Sequence, residues 1–487
     1  MRKSNFKITF LLIILSSQIV LGQKMQSVNQ PNIVYILADD LGIGDLGCYG
    51  QKIIKTPNID KLASEGMLFS NHYSGSTVCA PSRSVLMTGQ NTGHTYIRDN
   101  VGGTDNQEGQ TPLSAESITV AEVLKQKGYA TGAFGKWGLG FIGTSGDPNK
   151  QGFDEFFGYN CQVIAHRYYP EYLWHNDKKV FLPGNNWTNT VTYAADVIHQ
   201  KALEFIDKNA NKPFFLFYPS TIPHAELIAP NDEIFKRHDG KYQETPYTDE
   251  KAGNGANYGS EISLIKYAPN AQPKATYAAM VERLDKHVGE VVAKLKELGL
   301  DKNTLIMFSS DNGVHKEGGL NPEDFNSNSI YRGNKRDLYE GGIKTPMLAK
   351  WPSKIKPCTT SSHISAFWDV LPTLAEITGS SAPENIDGIS FVNTLLGKNN
   401  QVQHNYMYWE FHAENGKQAV RKGKWKAVKL NVFKKDKTKV ELYNLDEDPS
   451  ETKDLAFQYP KIVKELVAIM DNEHIESTQF PFYIKIK

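Results

Sequence analysis

An excess of charge of either sign is missing from this chain. Its 487 residues carry 54 Lys and Arg against 54 Asp and Glu. That balance argues against a dedicated nucleic-acid binder, which is basic overall, and leaves room for a local cationic pocket. Cysteine is scarce: Cys48, Cys79, Cys161 and Cys358 are all there is. The length allows two or three domains of about 150 residues each, and domains of that size need no disulfide staples. No Cys/His spacing has the pattern of a zinc site. Internal repeats and low-complexity linkers are absent, and so is any apolar run of membrane length. One shorter run, Ile8 to Leu21, follows a basic Met-Arg-Lys start and ends at Gly22. That is the form of a secretory signal peptide over residues 1–22, too short for a comfortable span. No cysteine follows it, which disfavours a lipid anchor. The expectation is an exported protein, periplasmic or secreted, with no stable membrane insertion.

What is present begins with three apolar runs, 32–38, 214–218 and 304–308. Each breaks into polar residues: Asp39-Asp40, Ser220 to His224, and Ser309 to Asn312. Such runs suit parallel strands buried on both faces, and open α/β sheets bind ligands at the carboxyl edge of their strands. Periodic stretches at 118–127, 274–298 and 367–378 predict helices between them. The fold class is therefore α/β, a mixed and mostly parallel sheet sandwiched by helices. After about residue 400 the pattern changes to short strand-like pieces at 406–411, 418–421, 424–430 and 439–443, separated by Gly and Lys/Asp turns. A helix over 460–473 follows. The predicted organisation is a catalytic α/β domain at 25–395 and a C-terminal subdomain at 396–487, an antiparallel sheet with a packed helix. Lys434 to Lys437 reads as a solvated hairpin turn.

Asp39, Asp40, Asp311 and Asn312 close two of the strands. Three carboxylates and an amide oxygen make the oxygen-rich cage that a hard cation such as Ca2+ takes. Buried carboxylates need a metal or a cationic partner. The plain alternative is capping of the helices that follow.

Residues 79–83 read Cys-Ala-Pro-Ser-Arg, followed by Ser84 to Thr88, Gly89 and Gln90. Taken alone, this is a cysteine before a helix starting at Pro81. The string resembles the signature of type I sulfatases, C-x-P-S-R with T-G a few residues on. The likeness extends through Asn32 to Gly42, Gly135-Lys136-Trp137, Ser310 to Gly313 and Tyr339 to Pro346. It implies an alkaline-phosphatase-like fold and hydrolysis of a sulfate ester by formylglycine (3-oxoalanine). That group would be made from Cys79 by a formylglycine-generating or anaerobic sulfatase-maturing enzyme. The resemblance further implies that Asp39, Asp40, Asp311, Asn312 and residue 79 hold Ca2+. Arg83 would stabilise the hydrated aldehyde, Lys136 and Lys335 would bind the sulfate, and His224 would protonate the leaving alcohol. These residue types fit the tasks: Arg83 lies one helical turn past residue 79, fixed cations stabilise developing charge, and imidazole titrates near neutrality. With Cys79 converted, three cysteines remain, which leaves at most one pair and a free thiol.

One position departs from the family. Many members carry histidine two residues after the lysine, where this chain has Gly138. Another histidine is expected to fill that space, with His166 the first candidate; otherwise His166 packs in a loop. His315 is expected to face the pocket, and Arg332 and Arg336 to contact further anionic groups. Tyr168, Tyr169, Trp174 and Trp187 offer faces for sugar rings, or are simply core. Asn186-Trp187-Thr188 is a glycosylation sequon. The expected substrate is a sulfated carbohydrate. Two alternatives stay open: a phosphonate or phosphodiester hydrolase using the same modified cysteine, and an unconverted glycan-binding homologue without turnover.

Overall fold

The computed structural model describes residues 30–102, 108–186, 189–248 and 267–482. The signal peptide expected at 1–22, and Trp187 and Thr188 of the sequon, lie outside them. The chain opens with β1 (Asn32–Ala38), α1 (Pro57–Ser64), β2 (Met67–Phe69), β3 (His72–Tyr73), α2 (Cys79–Thr88) and α3 (Val120–Lys125). Next come β4 (Ala130–Lys136), β5 (Glu155–Tyr159), β6 (Tyr172–His175), β7 (Lys178–Phe181), α4 (Ala194–Lys208), β8 (Phe214–Pro219) and α5 (Glu233–Lys236). The long α6 (Pro273–Glu297) leads to β9 (Thr304–Ser310), α7 (Glu340–Ile343), β10 (Met347–Lys350), β11 (Thr359–Ser361) and β12 (Ser365–Ala366). The remainder is α8 (Val370–Thr378), α9 (Val392–Leu395), β13 (Met407–Phe411), β14 (Lys417–Lys422), β15 (Trp425–Leu430), β16 (Lys439–Asn444) and α10 (Pro460–Glu473).

Ten strands form one sheet in the order β11-β2-β10-β9-β1-β8-β4-β5-β6-β7. Its centre, β9-β1-β8-β4-β5, is parallel throughout, and β10, β6 and β7 run antiparallel to their inner neighbours. The alternation of side chains explains why β1 must be apolar along its whole length. Ile33, Tyr35 and Leu37 enter the core on one face, and Val34, Ile36 and Ala38 the core on the other. Helices cover both faces, α6 among them on the Val34 side and α2 on the Ile33 side.

β13 to β16 form a separate antiparallel sheet. One of its faces, Tyr408, Val420, Ala427 and Leu442, buries Leu466 and Met470 of α10. The other face, Trp409, Ala419, Val428 and Tyr443, joins the main core. The small sheet thus shares its core with the large one, and the chain from Pro31 onward packs as a single unit. No helix among the described residues is long and apolar enough to cross a membrane.

Several expectations shift. The helix expected from Pro81 begins at Cys79 itself, with Val78 as its N-cap. The stretch 118–127 yields a helix of 120–125 only, where Thr119 and Glu122 close a capping box. The four cysteines are all free thiols, so no disulfide forms. Strand β4 escapes sequence patterning because Gly132 and Gly135 interrupt it. A Cβ at Gly135 (φ +140) would collide with the Pro219 carbonyl of β8, a close approach only glycine allows.

Candidate active site

The carboxyl ends of β1, β4, β8 and β9 meet the N-terminus of α2. Stitching between strand ends fixes their polar turns. The Asp311 amide donates to the Ala38 carbonyl (3.1 Å), the Asp40 amide to Asp311 Oδ1 (3.0 Å), and the Leu41 amide to Ser310 Oγ (2.9 Å). Asp40 takes φ +62, a left-handed turn that aspartate tolerates, so consecutive side chains of Asp39 and Asp40 both reach the site.

Three carboxylates and three cations are buried together there. Lys136 Nζ lies 2.9 Å from Asp39 Oδ2, Lys335 Nζ 2.8 Å from Asp40 Oδ2, and Arg83 Nη2 2.8 Å from Asp311 Oδ2. Arg83 also donates to the Lys136 carbonyl and approaches Asp39 at 3.5 Å. Cys79 Sγ sits 3.6 Å from Asp39 Oδ1. Asn312 Nδ2 donates to Asp40 Oδ1 (2.6 Å), and its buried Oδ1 has no partner among the described residues. Atoms of Asp39, Asp40, Cys79 and His224 all lie within 4.8 Å of one another.

Burial would raise every carboxyl here, and the cations decide which ones resist. Lys136 and Arg83 hold Asp39 low, and Lys335 does the same for Asp40. Asp311 rises, from burial and then from the charge of Asp39. Burial also drives the Cys79 thiol well above its ordinary range. His224 is depressed far below neutrality by burial and then by Lys335. It therefore stands as neutral imidazole, with Nδ1 on the Ala225 carbonyl and Nε2 accepting from Lys335 at 2.9 Å.

The other expected residues divide. His166 stacks on His224, with ring centroids 4.8 Å apart and planes at 7°. The side chain nearest Gly138 is Gln162. Gly138 has φ +74, and a Cβ there would run into the amide nitrogen of Gln162. His315 lies in the cluster, buried, with Nδ1 accepting from the Glu317 amide (3.0 Å) and Nε2 directed at the Pro223 carbonyl (3.4 Å). Arg336 lies at the mouth, paired with Glu317 at 2.5 Å. Arg332 bonds the Tyr443 hydroxyl (3.0 Å) and the Glu451 carbonyl (2.9 Å) over the Tyr339 ring, which binds the small sheet to the core. Tyr168 and Tyr169 are buried core and offer no free face to a sugar. Trp174 packs partly buried, its Nε1 donating to Glu108 at 2.6 Å.

Two kinds of residue escaped sequence reading. Glu317 neutralises the outer cations, accepting from the Tyr267 hydroxyl (2.7 Å) and lying 3.5 Å from Lys335. Asn160 and Gln162 follow β5, whose register places Tyr159 beside Lys136. No short motif marks any of the three.

Comparison with known proteins assigns the class. A family model described as Sulfatase matches residues 31–380, and one described as N-sulphoglucosamine sulphohydrolase, C-terminal, matches 331–477. An N-acetylgalactosamine-6-O-sulfatase of Bacteroides thetaiotaomicron is 29% identical over 93% of this chain and 95% of its own. The steryl-sulfatase of Homo sapiens is 30% identical over 82% of this chain and 75% of its own. The crystal structure of Ps i-CgsB, solved also in complex with k-i-k-neocarrahexaose, superposes with a TM-score of 0.74 at 29% identity, covering 92% of this chain and 94% of that one. The large mixed sheet with its small antiparallel companion is thus the alkaline-phosphatase-like architecture of hydrolases that act on sulfuric esters. Within that class, the chain belongs to the sulfatase family.

Proposed function

We propose that this enzyme hydrolyses sulfate monoesters on a sulfated carbohydrate, with residue 79 carried as formylglycine and Ca2+ held by the carboxylate cage. The carrying observation is the balance of three buried carboxylates and three buried cations around residue 79, at the carboxyl edge of a parallel sheet. The donor set fits the ion. Asp39, Asp40 and Asp311 supply hard oxygens, and the unpartnered Asn312 Oδ1 adds a neutral one. When bound, Ca2+ would polarise the ester sulfur, and formylglycine would supply the oxygen nucleophile that a buried, protonated thiol does not.

The chain's own residues do the rest. Lys136 and Lys335 hold ammonium groups at the cage, where charge develops on the ester oxygens. Arg83 ties α2 to Asp311 and to the end of β4. Lys335 donates to His224 Nε2, so the proton that this pair would deliver to the leaving oxygen is held on Lys335 Nζ. Relatives support the carbohydrate: the B. thetaiotaomicron enzyme is named for N-acetylgalactosamine, and Ps i-CgsB is solved with an oligosaccharide. The same proposal includes export through residues 1–22, a boundary between 25–395 and 396–487, and a formylglycine-generating or anaerobic maturing enzyme as partner.

The test is production with a maturing enzyme. The mass of the peptide spanning residue 79 should show two hydrogens lost and sulfur exchanged for oxygen. Matured protein with Ca2+ should then free inorganic sulfate from some member of a panel of sulfated mono- and oligosaccharides. Converted protein that cleaves matched phosphoesters or sterol sulfates but no sulfated sugar would refute the reading.

A further inference from the structure

The carboxyl ends of β5 and β8 hold more hydrogen-bonding capacity than the fold uses. Asn160 is fully buried, and neither its Oδ1 nor its Nδ2 has a partner among the described residues. Gln162 is 6% exposed, and its Oε1 and Nε2 are equally without partners. Thr221 Oγ1 and His166 Nδ1 share that condition. Buried polar groups are almost always paired, and an unpaired one carries a desolvation penalty that something must offset.

The two carboxamides stand beside the cage. β4 delivers Lys136 into it, and Gly138, two residues on, points at the Gln162 amide. The Gly138 amide donates to the Asn160 carbonyl (2.9 Å), which locks the two loops together. His166, four residues past Gln162, stacks on His224.

Counting donors and acceptors decides what such a wall binds. Sulfate oxygens only accept. They would satisfy the two NH2 groups and leave both carbonyl oxygens stranded. A sugar hydroxyl donates and accepts, so adjacent hydroxyls satisfy both ends of a carboxamide. We propose that Asn160 and Gln162 form the subsite that reads the hydroxyl groups flanking the sulfate ester, and so select which sulfated sugar is accepted. This rests on the carbohydrate reading above.

The test uses matured, Ca2+-loaded enzyme and the variants Gln162→Met and Asn160→Leu, which keep volume and remove polarity. For each protein, kcat/KM is measured for the best sulfated sugar and for 4-nitrophenyl sulfate, which has no neighbouring hydroxyl. The sugar-to-aryl ratio should fall about 10- to 100-fold in each variant. In a Cys79→Ala background, calorimetric affinity for that sugar should weaken about tenfold on adding Gln162→Met. The melting temperature without ligand should hold or rise, because an apolar group replaces an unpaired amide. If Gln162→Met does not fold, Gln162→Asn withdraws the amide by one methylene and should lower the ratio as well.

An unchanged ratio overturns the subsite, including equal loss on both substrates, which would put the carboxamides at the nucleophile. A lowered melting temperature with intact affinity overturns it too, as a purely structural role. Wild-type protein that cleaves aryl sulfates but no sulfated sugar sinks the carbohydrate reading and this subsite with it. Variants that keep the ratio while wild-type protein cleaves sugars sink the subsite alone.

Discussion

Arg83 joins three parts of the site with one planar group. Its Nε and Nη2 both reach Asp311 Oδ2, at 3.2 and 2.8 Å, while Nη1 bonds the Lys136 carbonyl. Lysine keeps the charge but not the fork. Arg83→Lys should leave the Lys136 carbonyl buried and unpaired, at about 1–3 kcal/mol, and shift the transferring group off its cations. We expect a lower melting temperature, and kcat/KM for a sulfated sugar down by about 100-fold or more. A variant within threefold of wild type would show that the fork is dispensable. Asp39, Asp40, Asp311 and Asn312 were legible in the sequence because a polar residue directly after a wholly apolar strand has little choice of place. Gln162 and Glu317 were not, since loops bring them in and no periodicity records where a loop returns. The space beside Gly138 shows the limit of motif reasoning. Sequence pointed to another imidazole there, and the side chain nearest Gly138 is the Gln162 carboxamide.

Elements were legible where apolar pattern and burial coincide. β1, β8, β9, α6, the four strands of the small sheet and α10 all fall within a residue or two of their expected limits. β4 and β5 were not, because glycine at a close strand approach erases the apolar run. β13 contributes a further property. Its Glu410 is buried beside Arg98, His412 and His474, the last following α10. Burial opposes ionisation of Glu410, but the hydrogen bonds of His412 and His474 and the charge of Arg98 hold it down at about 2. Burial likewise opposes protonation of His474, and Glu410 outweighs it, so the imidazole is raised. Stability from Glu410 is present above the unfolded value of about 4.3 and is lost as pH falls toward the folded one. Stability from His474 is complete below about 6.5 and is lost as pH rises through its raised folded value. His474→Gln should therefore lower the melting temperature most between about pH 4.5 and 6.5 and progressively less above it. A difference that stays constant to pH 9 would contradict this pairing.

At the scale of the whole molecule, the charge balance of the site governs how the fold responds to metal. Three cations already face three carboxylates, so the cage does not need an ion in order to stay closed. Chelation should abolish turnover while lowering the melting temperature by only a few degrees. Restoring Ca2+ to about 100 times its dissociation constant should return about 2.7 kcal/mol. Calorimetry would register binding directly, and global unfolding on chelation would show that the cage is built around the metal instead. Residues of the site come from β1 at one extreme and from the loop before α7 at the other, so everything between those two elements must be in place before it exists. Cys79 is 1% exposed in that finished state. A protein-sized catalyst cannot reach a thiol so enclosed. On the formylglycine proposal, oxidation of this side chain thus belongs to an early time window, while the polypeptide is still open, and a copy that folds first would have lost its chance of activation for good.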